Sequence, residues 1–164
     1  MSIDSAQSFI YTYKLLWPIL ALLTWLLIIF TCSFRQFLHA LPIGIWTMII
    51  GGVLENFFIV FKFWQENLIS IPVGELDLFV VIGPFFTIGV IFVRFLPSNP
   101  WGKVFLILLL SVLATGIELI AIELGMLKYT ETRWIELYSI AAYTIGLMSA
   151  QGFYYIYYNL PKKH

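Results

Sequence analysis

Two glutamates lie deep inside apolar sequence, Glu55 in IIGGVLENFFIVFKFW and Glu118 in LATGIELIAIELGML. An ionised carboxylate in hydrocarbon costs about 2.5 to 3.5 kcal/mol on insertion scales, so a chain keeps one where a partner, water or a ligand compensates. Facing an aqueous cavity, such a pair can hold a cation or a polar amine. Two carboxyl groups close together can instead split their titration, so that one donates a proton while the other accepts one. A third reading is packing, with each acid bonded to a neighbour such as Asn56, Ser111 or Thr115. Asn56, Lys62, Glu75, Asp77 and Glu123 join Glu55 and Glu118 as the candidate binding residues.

These residues need elements to carry them. The chain has 164 residues, 61% hydrophobic and 11% charged, with a mean hydropathy of +0.94. Soluble domains are roughly 45 to 50% apolar and 25% charged, which places this chain in a bilayer. Five runs are long enough to cross about 30 Å of hydrocarbon: 15–34, 41–64, 72–95, 104–127 and 134–158. The connections RQFLHA, QENLISI, LPSNPWGK and KYTETR are short, leaving no room for a second domain. The first run is too long for a signal-peptide core and lacks a small-residue cleavage site, so it reads as a spanning helix. Apolar character on all sides, without strict alternation, argues against a β-barrel. The expected fold is an all-α, five-helix integral membrane bundle forming one domain over 1–164.

Orientation follows from the basic residues. With five spans, one side carries Arg35, Arg94, Lys103, Lys162 and Lys163 without an acid; the other mixes Lys14, Lys62, Lys128 and Arg133 with Asp4, Glu66 and Glu131. The positive-inside rule then puts the amino terminus outside and the carboxyl terminus in the cytoplasm. Trp17, Trp64, Trp101 and Trp134 fall at predicted span ends, where interfacial tryptophans belong, and FYYIYY reads as an inner aromatic girdle.

At these depths Glu55 and Glu118 are matched, about 13 Å below the outer helix ends at 1.5 Å per residue. Glu75, Asp77 and Glu123 lie nearer the surface, where snorkelling also explains them. Lys62 with Glu66, and Arg133 with Glu136, have the spacing of helix-surface ion pairs. Helices two and three resemble four and five in order, with Glu55 and Glu118 in equivalent places. A parallel repeat of this kind would bring the two acids together near its axis. Ala142, Gly146 and Ala150 form a small-residue stripe suited to close helix packing. Pro84 after Gly83 interrupts the third span and frees a carbonyl near its middle.

Composition also excludes chemistry. Net charge is zero, so no basic field exists to hold nucleic acid. Cys32 is the single cysteine, which rules out an internal disulfide or a CxxC pair. His39 and His164 are too far apart for a two-histidine metal motif, so no metal or cofactor is expected.

Glu55, the stretch LDLFVVIGPFF, Glu118, and Gly125, Tyr129 and Trp134 together resemble the small uncharacterised multi-pass membrane proteins of spore-forming Gram-positive bacteria. The likeness covers about residues 50 to 158 and implies a bacterial plasma-membrane setting, without transferring a catalytic role. The leading functional expectation is binding or transport of a small cation or polar amine through an outward-facing acidic cavity, in a homodimer or a larger membrane complex. The alternatives are an accessory or assembly subunit, and an enzyme using the glutamate pair on a lipid or isoprenoid. An apolar lateral opening beside the two acids is the feature that separates the enzyme from the others.

Overall fold

A computed structural model describes residues 14–130 and 134–159, of which the bulk is helical, 76%. There are five helices among the described residues: α1 (Leu16–Thr31), α2 (Phe34–Val60), α3 (Leu78–Arg94), α4 (Pro100–Glu123) and α5 (Glu136–Asn159). Four short strands complete the order: β1 (Trp64–Glu66), β2 (Pro72–Val73) and β3 (Leu76–Asp77) between α2 and α3, and β4 (Leu127–Tyr129) between α4 and α5. The expectation of a purely helical chain is therefore corrected.

The helix boundaries have local causes. RQFLHA, expected to be a connection, forms the first turns of α2. Ser33 and Gln36 close a reciprocal capping box there, satisfying two otherwise orphaned N–H groups. Asn99 caps α4 by accepting from the Gly102 N–H, with Pro100 in the first turn, where its missing donor is harmless. The third predicted span, 72–95, is helical only from Leu78, because Asp77 caps the helix there through the Phe79 N–H at 2.8 Å. Val81–Phe85 form a π turn containing Pro84. The Ile82 carbonyl of that turn accepts from the Trp25 indole at 3.0 Å, a bond that ties α1 to the turn.

Helices α2 and α4 are long and apolar enough to cross a membrane; α1 and α3 are apolar but shorter. Large apolar side chains such as Phe30, Phe105, Ile120 and Ile145 are exposed on the helix exteriors. Between α2 and α3 the contact is close. A Cβ on Gly89 would lie 2.1 Å from Thr47 Oγ1 and 2.7 Å from the Ile43 carbonyl, so only glycine permits this approach. Helix α1 lies against α3, and α4 against α5.

The ends of α2 and α4 and the strands that follow them repeat at an offset of 63 residues, which takes Glu55 to Glu118 and Val60 to Glu123. Helices α2 and α4 end at those last two positions. In the first half Phe61, Lys62 and Phe63 donate to the carbonyls of Phe57, Ile59 and Phe58; in the second Leu124, Gly125 and Met126 donate to Ile120, Ile122 and Ala121. Lys62 (φ 60) and Gly125 (φ 71) both take the left-handed conformation that ends the helix. Strands β1 and β4 then pair antiparallel about Gln65 and Lys128. The flanking bonds are reciprocal too: Asn67 N–H to Met126 O, and Thr130 N–H to Phe63 O. A local two-fold axis passes between the strands and relates the helix ends that lead into them.

This geometry corrects one proposed ion pair. Lys62 is an exposed turn residue and Glu66 lies on a strand, so the two are not neighbours on a helix. The Arg133–Glu136 pair, the acids Asp4 and Glu131, and Lys162 and Lys163 lie in part or wholly outside the described residues.

Gly89→Ala should lower the thermal stability by about 1 to 3 kcal/mol through overpacking against Thr47. Gly116 has open space where a Cβ would go. Gly116→Ala in the interior of α4 should instead stabilise by about 0.5 to 1 kcal/mol. Paired melting curves in one detergent check both signs.

Candidate functional site

The strand pair positions the acids. Residues on a strand alternate between faces, so Trp64 and Glu66 share one face of β1. Trp64 is buried and donates its indole N–H to Glu55 Oε1 at 2.9 Å. Opposite it in register stands Tyr129 of β4, whose hydroxyl donates to Glu118 Oε1 at 2.5 Å. Ser139 donates to the same oxygen at 2.9 Å while accepting from Trp134 Nε1 at 2.8 Å. The Tyr143 hydroxyl also hydrogen-bonds Glu118.

Glu118 is 8% exposed. It lies close enough to Glu55 for the two to interact electrostatically. Between their donors the rings of Trp64 and Trp134 meet edge to face, with centroids 4.5 Å apart and an interplanar angle of 74°. Phe58 packs on both.

The tryptophans thus correct another expectation. Trp17, Trp64 and Trp134 are buried with their N–H groups engaged, that of Trp17 on the Asn67 carbonyl; of the four proposed interfacial tryptophans Trp101 alone is exposed. Burying an indole without a partner for its N–H is costly, so these rings act as positioned donors.

The remaining candidate residues fall into different places. Asp77 is fully buried at 0% exposure, which excludes snorkelling. Its Oδ2 accepts from the Ser70 and Ile71 N–H groups and its Oδ1 from Phe79, so it organises the loop. Asn56 accepts from the Glu75 N–H at 3.0 Å and thereby fixes the β2–β3 turn over α2. The side chains of Glu75, Glu123 and Lys62 are exposed and lie outside the buried constellation. Ser111 and Thr115 turn back onto carbonyls of their own helix, Ile107 and Ser111. Glu66 enters the site region instead: its Oε1 accepts from the Asp77 N–H at 3.0 Å, and its buried Oε2 has no partner among the described residues.

Two cavities meet at the acids. The smaller, about 60 Å³, lies between α2 and α5 and is lined by Thr47, Trp64, Trp134, Ser139 and Gly146. The larger, about 220 Å³, lies among α1, α3 and α4, with Leu20, Leu27, Ile88, Leu110, Leu113 and Ile117 in its wall. Glu55, Glu118, Phe85, Ile88 and Tyr143 line both. Leu27, Leu113 and Ile117 are also exposed on the outer surface, so the larger cavity opens sideways between α1 and α4. Thr87 in its wall is 4% exposed, and its hydroxyl has no partner among the described residues. Pro84 also lines this cavity, which places the π turn at its edge. Among the described residues no group of three or more His, Cys, Asp or Glu side chains is placed to hold a metal ion.

Comparison with protein-family models, with curated proteins and with solved structures returns no match. The site must therefore be read from its own chemistry.

Sequence reasoning found the two acids and missed their donors. Tyr129 and Ser139 stand 11 and 21 residues from Glu118, a separation no helical periodicity reports. The strand pair that aligns Tyr129 with Trp64 is only three residues long on each side. The usable signal was the offset of 63, which matches turn with turn and acid with acid.

Two outcomes follow. Tyr129→Phe removes one hydroxyl and little volume; it should cost about 1 to 3 kcal/mol, the range for leaving a buried acceptor short of a donor, in a denaturation experiment. Burial first, then the charge of Asp77, hold the Glu66 carboxyl up from 4.5 to about 8, against the Asp77 N–H, which favours the ionised form. A raised acid stabilises the fold in its protonated form, so stability is full below about 4.5 and declines as the pH climbs through about 8. Melting curves across that window should show the decline in wild type and a flatter profile in Glu66→Gln.

Proposed function

We propose that this protein is a multi-pass membrane protein, five helices deep, that takes an apolar ligand from the bilayer and acts on it by proton transfer at Glu55 and Glu118. The observation that carries this reading is the larger cavity: it is apolar, open sideways between α1 and α4, and has the two acids in its wall. Ligand sites are typically apolar clefts with a few convergent polar groups. An opening bordered by Leu27, Leu113 and Ile117 suits a chain that partitions into hydrocarbon, and is a poor entrance for a hydrated cation or a polyamine.

The partners of the acids point the same way. Glu55 and Glu118 are bonded by neutral donors, an indole, a serine and two phenols, which hold the carboxyl groups in place without a fixed counter-charge. In such a pair one carboxyl group can give a proton to a double bond or a leaving group while the other receives one. Isoprenoid chains fit both requirements, because they are apolar and carry double bonds that accept protons. The amino terminus outside, the carboxyl terminus in the cytoplasm, and residence in a bacterial plasma membrane complete the reading. It is supported by the basic residues of the connections and by the apolar helix exteriors.

Reconstituted protein should be incubated in deuterated buffer with long-chain isoprenoid alcohols, with straight-chain alcohols of equal length, and with spermidine or divalent cations. The expected result is stabilisation by the isoprenoid, about 2.7 kcal/mol at 100 times the dissociation constant, and deuterium incorporated into its carbon skeleton. Glu118→Gln should keep the stabilisation and lose the deuterium, while Leu113→Trp at the opening should lose both. Stabilisation by a cation or an amine alone, abolished in Glu55→Gln, would replace this reading with the acidic cation site.

A further inference from the structure

The two-fold relation gives Glu66 a counterpart. The offset of 63 residues that carries Glu55 to Glu118 also carries Glu66 to Tyr129, at equivalent places on the paired strands. Tyr129 reaches inward to Glu118. Glu66 therefore stands to Glu55 as Tyr129 stands to Glu118, on the face of β1 from which Trp64 already contacts Glu55. A carboxyl side chain is shorter than a phenol, and it ends with Oε2 buried and unpartnered among the described residues. Glu66 and Glu55 interact electrostatically. Its chain neighbours Gln65 and Asn67 are exposed, so Glu66 occupies the boundary between the site and the aqueous end of the bundle.

We infer that Glu66 is the proton-exchange group of this site, carrying protons between bulk water and the Glu55–Glu118 pair. The inference rests on reading that pair as a proton-transfer centre. In each transfer one water relays the proton: the O–H bond of Glu66 breaks as the water accepts it, an O–H bond of that water breaks as one forms on Glu55, and the Glu66 carboxylate then regains a proton from bulk water; no oxidant, reductant or metal takes part. Asp77 on β3 and Glu55 on α2 interact with it electrostatically, while Tyr129 and the exposed Lys128 on the paired strand and the exposed Lys62 before β1 are the titratable groups of the adjoining segments. Asp77 is tied to the loop backbone, so its charge beside Glu66 is fixed in position. A carboxyl group held at about 8 loads and releases protons with little bias at neutral pH. Glu66 does not line the larger cavity and acts through Glu55, so its role is to supply protons.

The test needs no ligand. Infrared spectra of the protein in lipid discs, moved from ordinary to deuterated buffer, follow the carboxyl C=O band that disappears in Glu55→Gln or Glu118→Gln. In Glu66→Gln the isotope shift of that band should slow about a hundred-fold, the low end of what a positioned proton-transfer group contributes. The melting temperature at acidic pH should stay as in wild type, and Glu66→Asp, which keeps a carboxyl group, should recover part of the rate. An unchanged rate in Glu66→Gln overturns the inference, as does the absence of any carboxyl band belonging to the pair. A failure of isoprenoid binding would count against the apolar-ligand reading and leave this measurement unaffected.

Discussion

The antiparallel pairing of β1 with β4 solves a problem that both long helices share. Helices α2 and α4 end at the same side of the bundle, each leaving carbonyls that the helix itself cannot satisfy. Each takes a left-handed turn, at Lys62 or Gly125, and runs into a three-residue strand that finds its partner in the other half. The reciprocal bonds of Asn67 and Thr130, from backbone and side chain alike, tie each half to the turn of the other. Because the register is centred on Gln65 and Lys128, Trp64 and Tyr129 face each other, and each meets the acid on its own side. A slip of one residue would turn both donors away from the site, leaving Glu55 without its indole and Glu118 with Ser139 and Tyr143 alone in a low-dielectric interior.

The two halves agree where the strand pairing requires it and differ around the two acids. The ends of α2 and α4, the turns after them and strands β1 and β4 correspond residue for residue in position, yet Asn56 corresponds to Leu119 and Glu66 to Tyr129. The first difference follows from the β2–β3 turn, which Asn56 anchors through the Glu75 N–H. The second gives the two acids unequal surroundings: Glu118 is surrounded by hydroxyl donors, while Glu55 has one indole and a second carboxyl group nearby. Repulsion between two close carboxylates already splits their titration. Unequal hydrogen bonding then biases which of the two carries the proton.

Hydropathy made the helices legible because burial in hydrocarbon needs only long apolar runs, and α2 and α4 satisfy it outright. It could not locate their ends: RQFLHA is polar enough to pass for a loop, and 72–77 apolar enough to pass for helix. Capping by Ser33, Asn99 and Asp77 decided those boundaries, through single side-chain bonds that a window average cannot register. Glu55 and Glu118 were visible because a charge in apolar sequence is rare. Trp64, Tyr129, Trp134 and Ser139 were not, because aromatic and hydroxyl residues near span ends usually face the interface. Their role exists only once two distant strands meet. Asp77 shows the converse: an acid near a predicted span end looks like a surface ligand, whereas its oxygens are fully occupied by backbone donors.

Helix α1 stands outside the repeat, and the larger cavity exists because of it. Trp17, Leu20, Thr24 and Leu27 supply one wall; α3 and α4 supply the others. The π turn at Val81–Phe85 sits where these walls meet, with the Ile82 carbonyl taken by Trp25 of α1. Widening the backbone at Gly83 and Pro84 lets α1 pack on one face of α3 while Pro84, Phe85 and Thr87 border the cavity. The repeat alone would enclose the acids between α2 and α5, where the space is about 60 Å³ and its lining includes the polar donors. Adding α1 creates the apolar side chamber and gives the two structurally matched acids a second, largely apolar cavity to line.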